Sequence, residues 1–281
     1  MSVSSADGPA TLTVAPRGGM VAVARGYSLI VALVGTVTLA VSLTISATNP
    51  LSGGALNGIF TTLSYFTVWS NIVALVVNWM LALDPTRDGR LFRWLRMTAL
   101  VMIVITGLIY ALILAASAHP CGIGVWTNIG YHYFVPWATL LGFLLFGPRP
   151  RFTWDLVPKM MAIPVVWLVF TLLHGLMSVT IPGDKCSGNP LQDGANFYPY
   201  PFITPNYDGT GAPSPLIPGV SADGYAGIAI NLVVIIILGL LMASAFVGLD
   251  RLLSRGAKPT PLDGGGDMPD DEPETVSVPA R

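Results

Sequence analysis

Six long apolar runs dominate the pattern of hydrophobic and polar positions along the chain. Each has about the 20 residues that an α-helix needs to cross a bilayer. The runs cover residues 27–47, 58–83, 97–116, 128–146, 157–181 and 225–247. The pattern predicts an all-α fold, a polytopic transmembrane bundle of six helices within one membrane domain, residues 23–250. Pro136 and Pro164 lie inside runs, and we expect a kink at each.

Three segments outside the apolar runs have a different composition. Residues 1–22 are small and polar, and residues 251–281 are rich in Pro, Gly and acidic side chains, so we expect both tails to be disordered and solvated. Residues 182–224 are too polar to cross a membrane and too rich in Pro and Gly for regular helix, which predicts an ordered, Ω-like cap loop. The small pair Ser46-Ala47 leaves a cleaved signal segment as an alternative to a retained first helix.

Two narrow stripes of polar side chains interrupt the apolar runs. The first, in the second run, consists of Ser64, Thr67, Asn71 and Asn78. The second, in the fourth run, consists of Asn128, His132, Pro136 and Thr139. At about 100° per residue, the first stripe occupies about 60° of one helix face. Because unpartnered polar groups are costly in lipid, we expect the two stripes to face each other, with any chemistry between them.

The overall composition supports a membrane protein and narrows its function. Hydrophobic residues make up 53% of the chain and charged residues 10%, with a mean hydropathy of +0.66; soluble domains carry about 25% charged residues. No Asp or Glu lies at membrane depth, where the ionisable side chains are His132 and His174. This argues against a carboxylate-coupled pump. We expect no cofactor, no metal and no nucleic-acid partner.

The basic residues predict the orientation. All 14 Lys and Arg residues except Lys185 fall in the tails or at one end of the predicted helices. The positive-inside rule then places both termini in the cytoplasm of a cell-membrane protein, with the cap loop outside. Cys121 and Cys186 both lie in outer loops, where disulfides persist, so we expect a bridge between them. Two free thiols are the alternative.

The polar stripes contain the minimum set for acyl transfer. Thr67 and His132 are both predicted in the outer half of the membrane, where a neutral imidazole could take the hydroxyl proton during attack on an ester carbonyl. Asn71 and Asn128 lie one helical turn away, positioned to orient the imidazole or to stabilise the oxyanion. The alternative is structural, because a membrane Thr commonly bonds its own helix carbonyl.

Further candidates surround this pair. Ser70 and His174 are candidates for supporting roles, and for His174 we expect a structural hydrogen bond. Aromatic residues suited to a substrate entrance are Trp69, Tyr198, Tyr200 and Phe202. The same aromatics could instead form an interfacial belt at the lipid headgroups.

Three motifs carry a resemblance to a known family. They are Phe66-Thr67 with Trp69-Ser70-Asn71, Asn128-Ile-Gly-Tyr-His132 before Pro136, and Tyr198-Pro-Tyr-Pro-Phe202. In their order, spacing and six-helix plan, residues 27–247 resemble the androgen-induced-protein-like membrane family, whose animal members are threonine hydrolases of lipid esters. The resemblance implies Thr67 as nucleophile, His132 as base and a lipid or fatty-acid ester as substrate. The spacing from His132 to Pro136 is one residue shorter than in that family, and the cap loop is longer.

Two non-enzymatic functions compete with hydrolysis. A lipid carrier would use the same polar pocket and aromatic cap, and a scaffold would use the stripes only to join helices. Hydrolysis requires the Thr67 hydroxyl within hydrogen-bond reach of a His132 nitrogen, beside a cavity that lipid can enter. A carrier requires the cavity alone.

Overall fold

Nine α-helices make up most of the computed structural model, which describes residues 18–146, 151–178, 180–184, 186 and 188–254. They are α1 (Gly18–Thr48), α2 (Ala55–Leu63), α3 (Phe66–Leu83), α4 (Arg90–Ile109), α5 (Gly124–Ile129), α6 (Val135–Phe146), α7 (Leu156–Lys159), α8 (Ala162–Met177) and α9 (Gly224–Ser254). Across these described ranges, six helical spans are long and apolar enough to cross a membrane. The predicted all-α bundle of six spans is confirmed at this level.

Helix α4 forms the centre of the bundle. Every residue from Arg96 to Gly107 is buried, and the helix packs against α3, α6 and α9. The outward faces of the surrounding helices are apolar and exposed, as at Val37, Val166 and Leu241. Exposed aliphatic side chains around a bundle are typical of helices in contact with lipid.

Two spans contain π-helical turns at the same level of the bundle. Helix α4 continues through a π-turn, Tyr110–Leu114, and α5 joins α6 through another, Gly130–Phe134. The second turn ends just before Pro136, where the sequence predicts a kink. Because proline has no N–H for the carbonyl four residues earlier, the helical hydrogen-bond ladder must change there.

The second predicted span is not one continuous helix. α2 ends at Leu63, Tyr65 is extended, and α3 begins at Phe66. Side chains from another helix hold this break open, since Trp167 Nε1 and Thr171 Oγ1 both donate to the Ser64 carbonyl, at 2.9 and 2.8 Å. The prediction that Ser64 continues the polar stripe of α3 is therefore wrong.

Other predicted boundaries also shift. α1 begins at Gly18, so part of the 1–22 tail is helical, because the apolar residues around Ala24 pack against the bundle. The fifth span, predicted over 157–181, has turns at Met160 and Met161, just before Pro164, and its helix ends at Met177. The tails 1–17 and 255–281 lie outside the described residues.

The cap loop is ordered over its described residues. Strand β1 (Thr180–Ile181) pairs antiparallel with β2 (Gln192–Asp193), and two short 3₁₀ turns follow, Pro201–Ile203 and Tyr207–Gly209. The predicted disulfide is present and joins Cys121 to Cys186. The loop is thereby tied to the connection between α4 and α5.

Buried hydrogen bonds seat the cap loop on the helices. Asn231, in α9, donates to the carbonyls of Phe202 and Ser214, at 2.9 and 3.0 Å, and accepts from the Leu216 amide. A buried amide with its donors and acceptor satisfied fixes backbone position strongly. The loop therefore presents its side chains to the bundle in a defined arrangement.

Candidate active site

Thr67, His132 and Asn128 form a connected cluster between α3 and the fourth membrane span, which consists of α5, the π-turn Gly130–Phe134 and α6. The Thr67 Oγ1 lies 3.3 Å from His132 Nε2, and His132 Nδ1 lies 2.9 Å from Asn128 Oδ1. The Asn128 carbonyl lies 3.2 Å from the same Nδ1. Because both oxygens are acceptors, they favour the tautomer with hydrogen on Nδ1, which leaves Nε2 free to accept the Thr67 proton.

The helix break between α2 and α3 places Thr67 at the second residue of α3. At this position the backbone N–H has no partner within its own helix, and the Thr67 side chain is buried. A continuous helix would have put Thr67 in the middle of a span. The chain departs from the predicted helix at the point where the candidate nucleophile occurs.

Two neighbouring polar side chains hold the Thr67 backbone. Asn71 Nδ2 donates to the carbonyls of Thr67 and Tyr131, at 2.8 and 3.2 Å, and the Ser70 hydroxyl donates to the Thr67 carbonyl at 2.9 Å. Asn71 therefore links α3 to the fourth span through two backbone carbonyls, and no hydrogen bond from Asn71 to the His132 ring is found among the described residues. Its two amide hydrogens point at carbonyls, so the arrangement does not suit it as an oxyanion donor.

The His132 ring is held by stacking as well as by hydrogen bonds. The Tyr110 ring lies parallel to it, with centroids 3.8 Å apart and an interplanar angle of 15°. Both residues belong to the two π-turns, which bring α4 and the fourth span together here. Single π-turns inside helices frequently occur at functional sites.

A large apolar cavity has Thr67 among the residues that line it. It measures about 1000 Å³ including its open side, and it lies between α3, α4, α8, α9 and the cap loop. Thr67, Thr106 and Tyr200 are its lining residues that carry a hydroxyl, and the remaining lining residues are almost entirely apolar. Along α9 it extends from Leu232 to Gly239, about 10 Å at the helical rise.

The cavity separates α8 from α9. Val165 and Ile236, which line it from these two helices, are also exposed on the outer surface of the bundle. The opening therefore faces the surroundings of the bundle sideways, between two membrane-spanning helices. In a bilayer these surroundings are lipid acyl chains.

The predicted entrance aromatics divide into two groups. Tyr200 and Phe202 line the cavity, with their rings stacked at 5.1 Å. Trp69 and Tyr198 are not among the residues lining it. Trp69 Nε1 donates to the Leu63 carbonyl at the α2–α3 break, and the Tyr198 hydroxyl pairs with that of Tyr225 at 2.9 Å.

His174 lies apart from the cluster. Its ring packs against Phe170 and Phe197, and its buried Nδ1 has no hydrogen-bond partner within the described part of the chain. The structural hydrogen bond expected for this residue is therefore not found there, because the ring is surrounded by aromatic side chains.

Three further residues, which the sequence analysis did not single out, make contacts in or near the Thr67–His132 cluster and the cavity. Thr106 lines the cavity and shares a 2.7 Å hydrogen bond with Ser70, Tyr110 stacks on His132, and Asn231 seats the cap loop. Thr106 and Asn231 are polar residues inside apolar runs, a signal that the sequence contains. Tyr110 carries no comparable signal.

The geometry defines a class: a multi-pass α-helical protein with a Thr–His–Asn cluster at the wall of a laterally open apolar cavity. Within the described residues, no group of three or more His, Cys, Asp or Glu side chains is placed to hold a metal ion. Comparisons with protein-family models, curated proteins and solved structures find no match to the chain. The cluster itself must therefore carry any argument about function.

Proposed function

We propose that the protein hydrolyses a lipid or fatty-acid ester within the membrane, with Thr67 as nucleophile and His132 as general base. The observation that carries this proposal is the 3.3 Å contact between Thr67 Oγ1 and His132 Nε2 at the wall of the apolar cavity. Hydrogen bonds of this length in a ligand-free site commonly shorten once substrate binds. Asn128 orients the imidazole, the role that a carboxylate has in many hydrolases.

The reaction follows from the positions of these groups. The Thr67 proton passes to His132 Nε2 as Oγ1 bonds to the ester carbonyl carbon, and the carbonyl π electrons move to its oxygen. When these electrons return, the bond to the alkoxy oxygen breaks, and that oxygen takes the proton from Nε2. Water then repeats the sequence on the acyl-threonine, giving its proton to Nε2 and its hydroxyl to the acyl carbon. Thr67 recovers the proton, and the fatty acid is released.

The cavity supports an acyl chain as the bound part of the substrate. Its aliphatic lining would surround the acyl chain with apolar side chains, an environment similar in polarity to the lipid tails that the chain leaves. The lateral opening between α8 and α9 would allow a lipid to enter from the bilayer without passing through water. The aromatic cap residues Tyr200 and Phe202 cover the end near Thr67.

The proposed location is the cell membrane, with both termini in the cytoplasm and the cap loop outside. The concentration of basic residues away from the cap loop supports this orientation. So does the Cys121–Cys186 disulfide, since such bonds persist in oxidising compartments. With this orientation the ester would be cleaved in the outer leaflet of the membrane.

Hydrolysis of a medium-chain p-nitrophenyl ester by the purified protein in detergent tests the proposal. Thr67→Ala and His132→Ala should each lower kcat by at least about 10³-fold, because each removes a group that acts in the transition state. Thr44→Ala is the matched control, since its exposed hydroxyl bonds its own helix carbonyl in α1. Equal hydrolysis by wild type and Thr67→Ala would contradict the proposal, and lipid binding without hydrolysis would favour a carrier.

A further inference from the structure

Nucleophilic attack on an ester creates an oxyanion, and stabilising it requires hydrogen-bond donors that are not already engaged. Most donors around Thr67 are occupied. The amide of Asn71 donates to two carbonyls, the hydroxyl of Ser70 donates to the Thr67 carbonyl, and the hydroxyl of Thr106 is bonded to that of Ser70. Trp167, which also lines the cavity, donates its indole N–H to the Ser64 carbonyl.

Tyr200 differs from these residues. Its side chain is buried at the cavity wall, and its hydroxyl oxygen accepts the backbone N–H of Thr67 at 3.4 Å. The hydroxyl therefore lies beside the residue that carries the candidate nucleophile. Apart from the neighbouring Thr67 side chain, no acceptor for the Tyr200 O–H hydrogen is found within the part of the chain that the structure describes, so this donor can be offered to a ligand.

The surroundings hold the Tyr200 hydroxyl in place. The ring packs edge-on against Tyr65 at 5.8 Å and face-to-face with Phe202 at 5.1 Å. The Tyr200 carbonyl accepts hydrogen bonds from Ile203 N and from Thr204 Oγ1, which fix the backbone. A donor fixed by packing before the reaction needs no reorganisation when charge develops, the condition for effective oxyanion stabilisation.

The start of α3 strengthens this donor. The phenol oxygen accepts an N–H from the first turn of the helix, where the helix dipole is positive. A hydroxyl that accepts such a bond becomes a better donor through its own hydrogen. Burial raises the pKa of the Tyr200 hydroxyl, and hydrogen bonds with Thr67 and Phe66 oppose that shift only in part, so the phenol keeps its proton at neutral pH.

We infer that Tyr200 is a catalytic residue whose hydroxyl donates a hydrogen bond to the oxyanion formed at Thr67. The inference rests on the proposed hydrolysis and assigns a catalytic group to the cap loop. The negative oxygen that forms as Thr67 Oγ1 adds to the carbonyl carbon accepts the Tyr200 hydrogen bond, and no proton is transferred. The cap loop thereby completes the site as well as covering it.

Tyr200→Phe separates this role from simple packing, because it removes the hydroxyl and keeps the ring. In p-nitrophenyl ester hydrolysis we expect kcat to fall by about 10²-fold with little change in KM, the effect of losing one oxyanion donor. Tyr225→Phe is the matched control, since its hydroxyl lies outside the cavity and bonds Tyr198. This control should retain the wild-type kcat.

A comparison of kcat values requires the concentration of folded active sites in each sample. Titration with a fluorophosphonate that reacts at Thr67 gives the number of competent sites in each sample, so kcat per site is defined even where part of the Tyr200→Phe protein is misfolded. An unchanged kcat per site in Tyr200→Phe, with hydrolysis still dependent on Thr67, would overturn the inference and leave the proposed function intact. Wild-type protein without Thr67-dependent hydrolysis would overturn both.

Discussion

At the residue scale, the cluster around His132 uses an amide where many hydrolases use a carboxylate. Asn128 accepts the Nδ1 hydrogen through its side chain at 2.9 Å and through its backbone at 3.2 Å. A neutral amide orients the imidazole without placing the charge of a carboxylate inside the membrane, where an unpaired ion is costly. The hydrogen bonds between Thr67, His132 and Asn128 therefore need no carboxylate inside the membrane.

Replacement of Asn128 measures the contribution of this orientation. Asn128→Ala should lower kcat about fivefold, since one hydrogen bond of about 1 kcal/mol is lost while the backbone carbonyl still favours the same tautomer. Asn128→Asp keeps an acceptor at the position but adds a charge inside the membrane, so it should lower the stability of the protein while kcat per folded site stays close to that of wild type. The measurement is steady-state ester hydrolysis, with Thr127→Val as control because that hydroxyl bonds locally to Gly124. An Asn128→Ala protein with full kcat would contradict the orienting role.

The sequence identifies most of the polar residues around Thr67, but it does not predict all the contacts that they make. Helical periodicity grouped Thr67 with Asn71, and Asn128 with His132, and these pairs lie together in the structure. Periodicity could not predict that Asn71 donates to backbone carbonyls, because this depends on how α3 packs against the fourth span. Nor could it place Tyr200 beside Thr67, since the two are separated by 133 residues and joined only by tertiary folding.

At the element scale, the least predictable features are the places where helices depart from regular geometry. No Gly or Pro marks the break at Ser64 and Tyr65. The break depends on donors from α8, Trp167 and Thr171, which local sequence does not reveal. The π-turn before Pro136 is better marked, because proline removes a helical donor. Both irregularities determine where the cluster side chains point.

Gly130, at the start of the π-turn that carries His132, provides a test at this scale. A Cβ added there would overlap the Thr38 side chain in α1. Gly130→Ala should therefore destabilise the protein by about 1–3 kcal/mol and lower ester hydrolysis by displacing the turn. Thermal unfolding and kcat are the measurements.

Gly124→Ala is the matched control for this substitution. Gly124 lies in the preceding helix, α5, and nothing lies within 4 Å of the corresponding Cβ. We expect the melting temperature and kcat of the Gly124→Ala protein to remain close to those of wild type. A Gly130→Ala protein that behaved in the same way would contradict the close packing of the π-turn against α1.

At the scale of the whole molecule, the six spans and the disulfide are the most predictable features. Apolar runs of bilayer length specify helices almost independently of tertiary context, because backbone groups in lipid must bond internally. The ends of the spans are less predictable, since charged and small residues extend helices beyond the apolar core. Arg90, Arg93 and Arg96, which precede the apolar run 97–116, lie on α4.

Charged residues join the helix ends on the side opposite the cap loop. Asp88 bonds Arg93 at 2.8 Å and lies 3.1 Å from Arg151, and the Asp250 carboxylate accepts the amides of Arg151 and Phe152. These contacts connect the start of α4 and the end of α9 to the segment before α7. These contacts cross-link the chain at the end of the bundle opposite the cap loop, as the disulfide does near the cap loop.

The Asp88 contacts predict a pH-dependent stability. The hydrogen bond from Arg93 is the main cause that lowers the pKa of Asp88 from 3.8 to about 2. A lowered pKa in the folded state stabilises the protein above about pH 4, and this stabilisation is lost as the pH falls through about 2. After allowance for solvent screening, we expect about 1 kcal/mol.

Thermal unfolding of Asp88→Asn between pH 6 and pH 2 checks this expectation. The variant should melt about 2–4 °C below wild type at pH 6, and the difference should shrink toward pH 2. Asp155→Asn is the control, because Asp155 pairs with Lys159 on the exposed surface and such pairs contribute little. A difference for Asp88→Asn that stayed constant with pH would contradict the account.

Covalent labelling shows whether Thr67 is a nucleophile activated by His132. Purified protein in detergent is treated with a fluorophosphonate probe, and the modified residue is identified by peptide mass spectrometry. We expect label on Thr67 in wild type and none in Thr67→Ala or His132→Ala, with melting temperatures near that of wild type. Label that persists in Thr67→Ala, or wild type that stays unlabelled where a known membrane hydrolase reacts, would contradict this expectation.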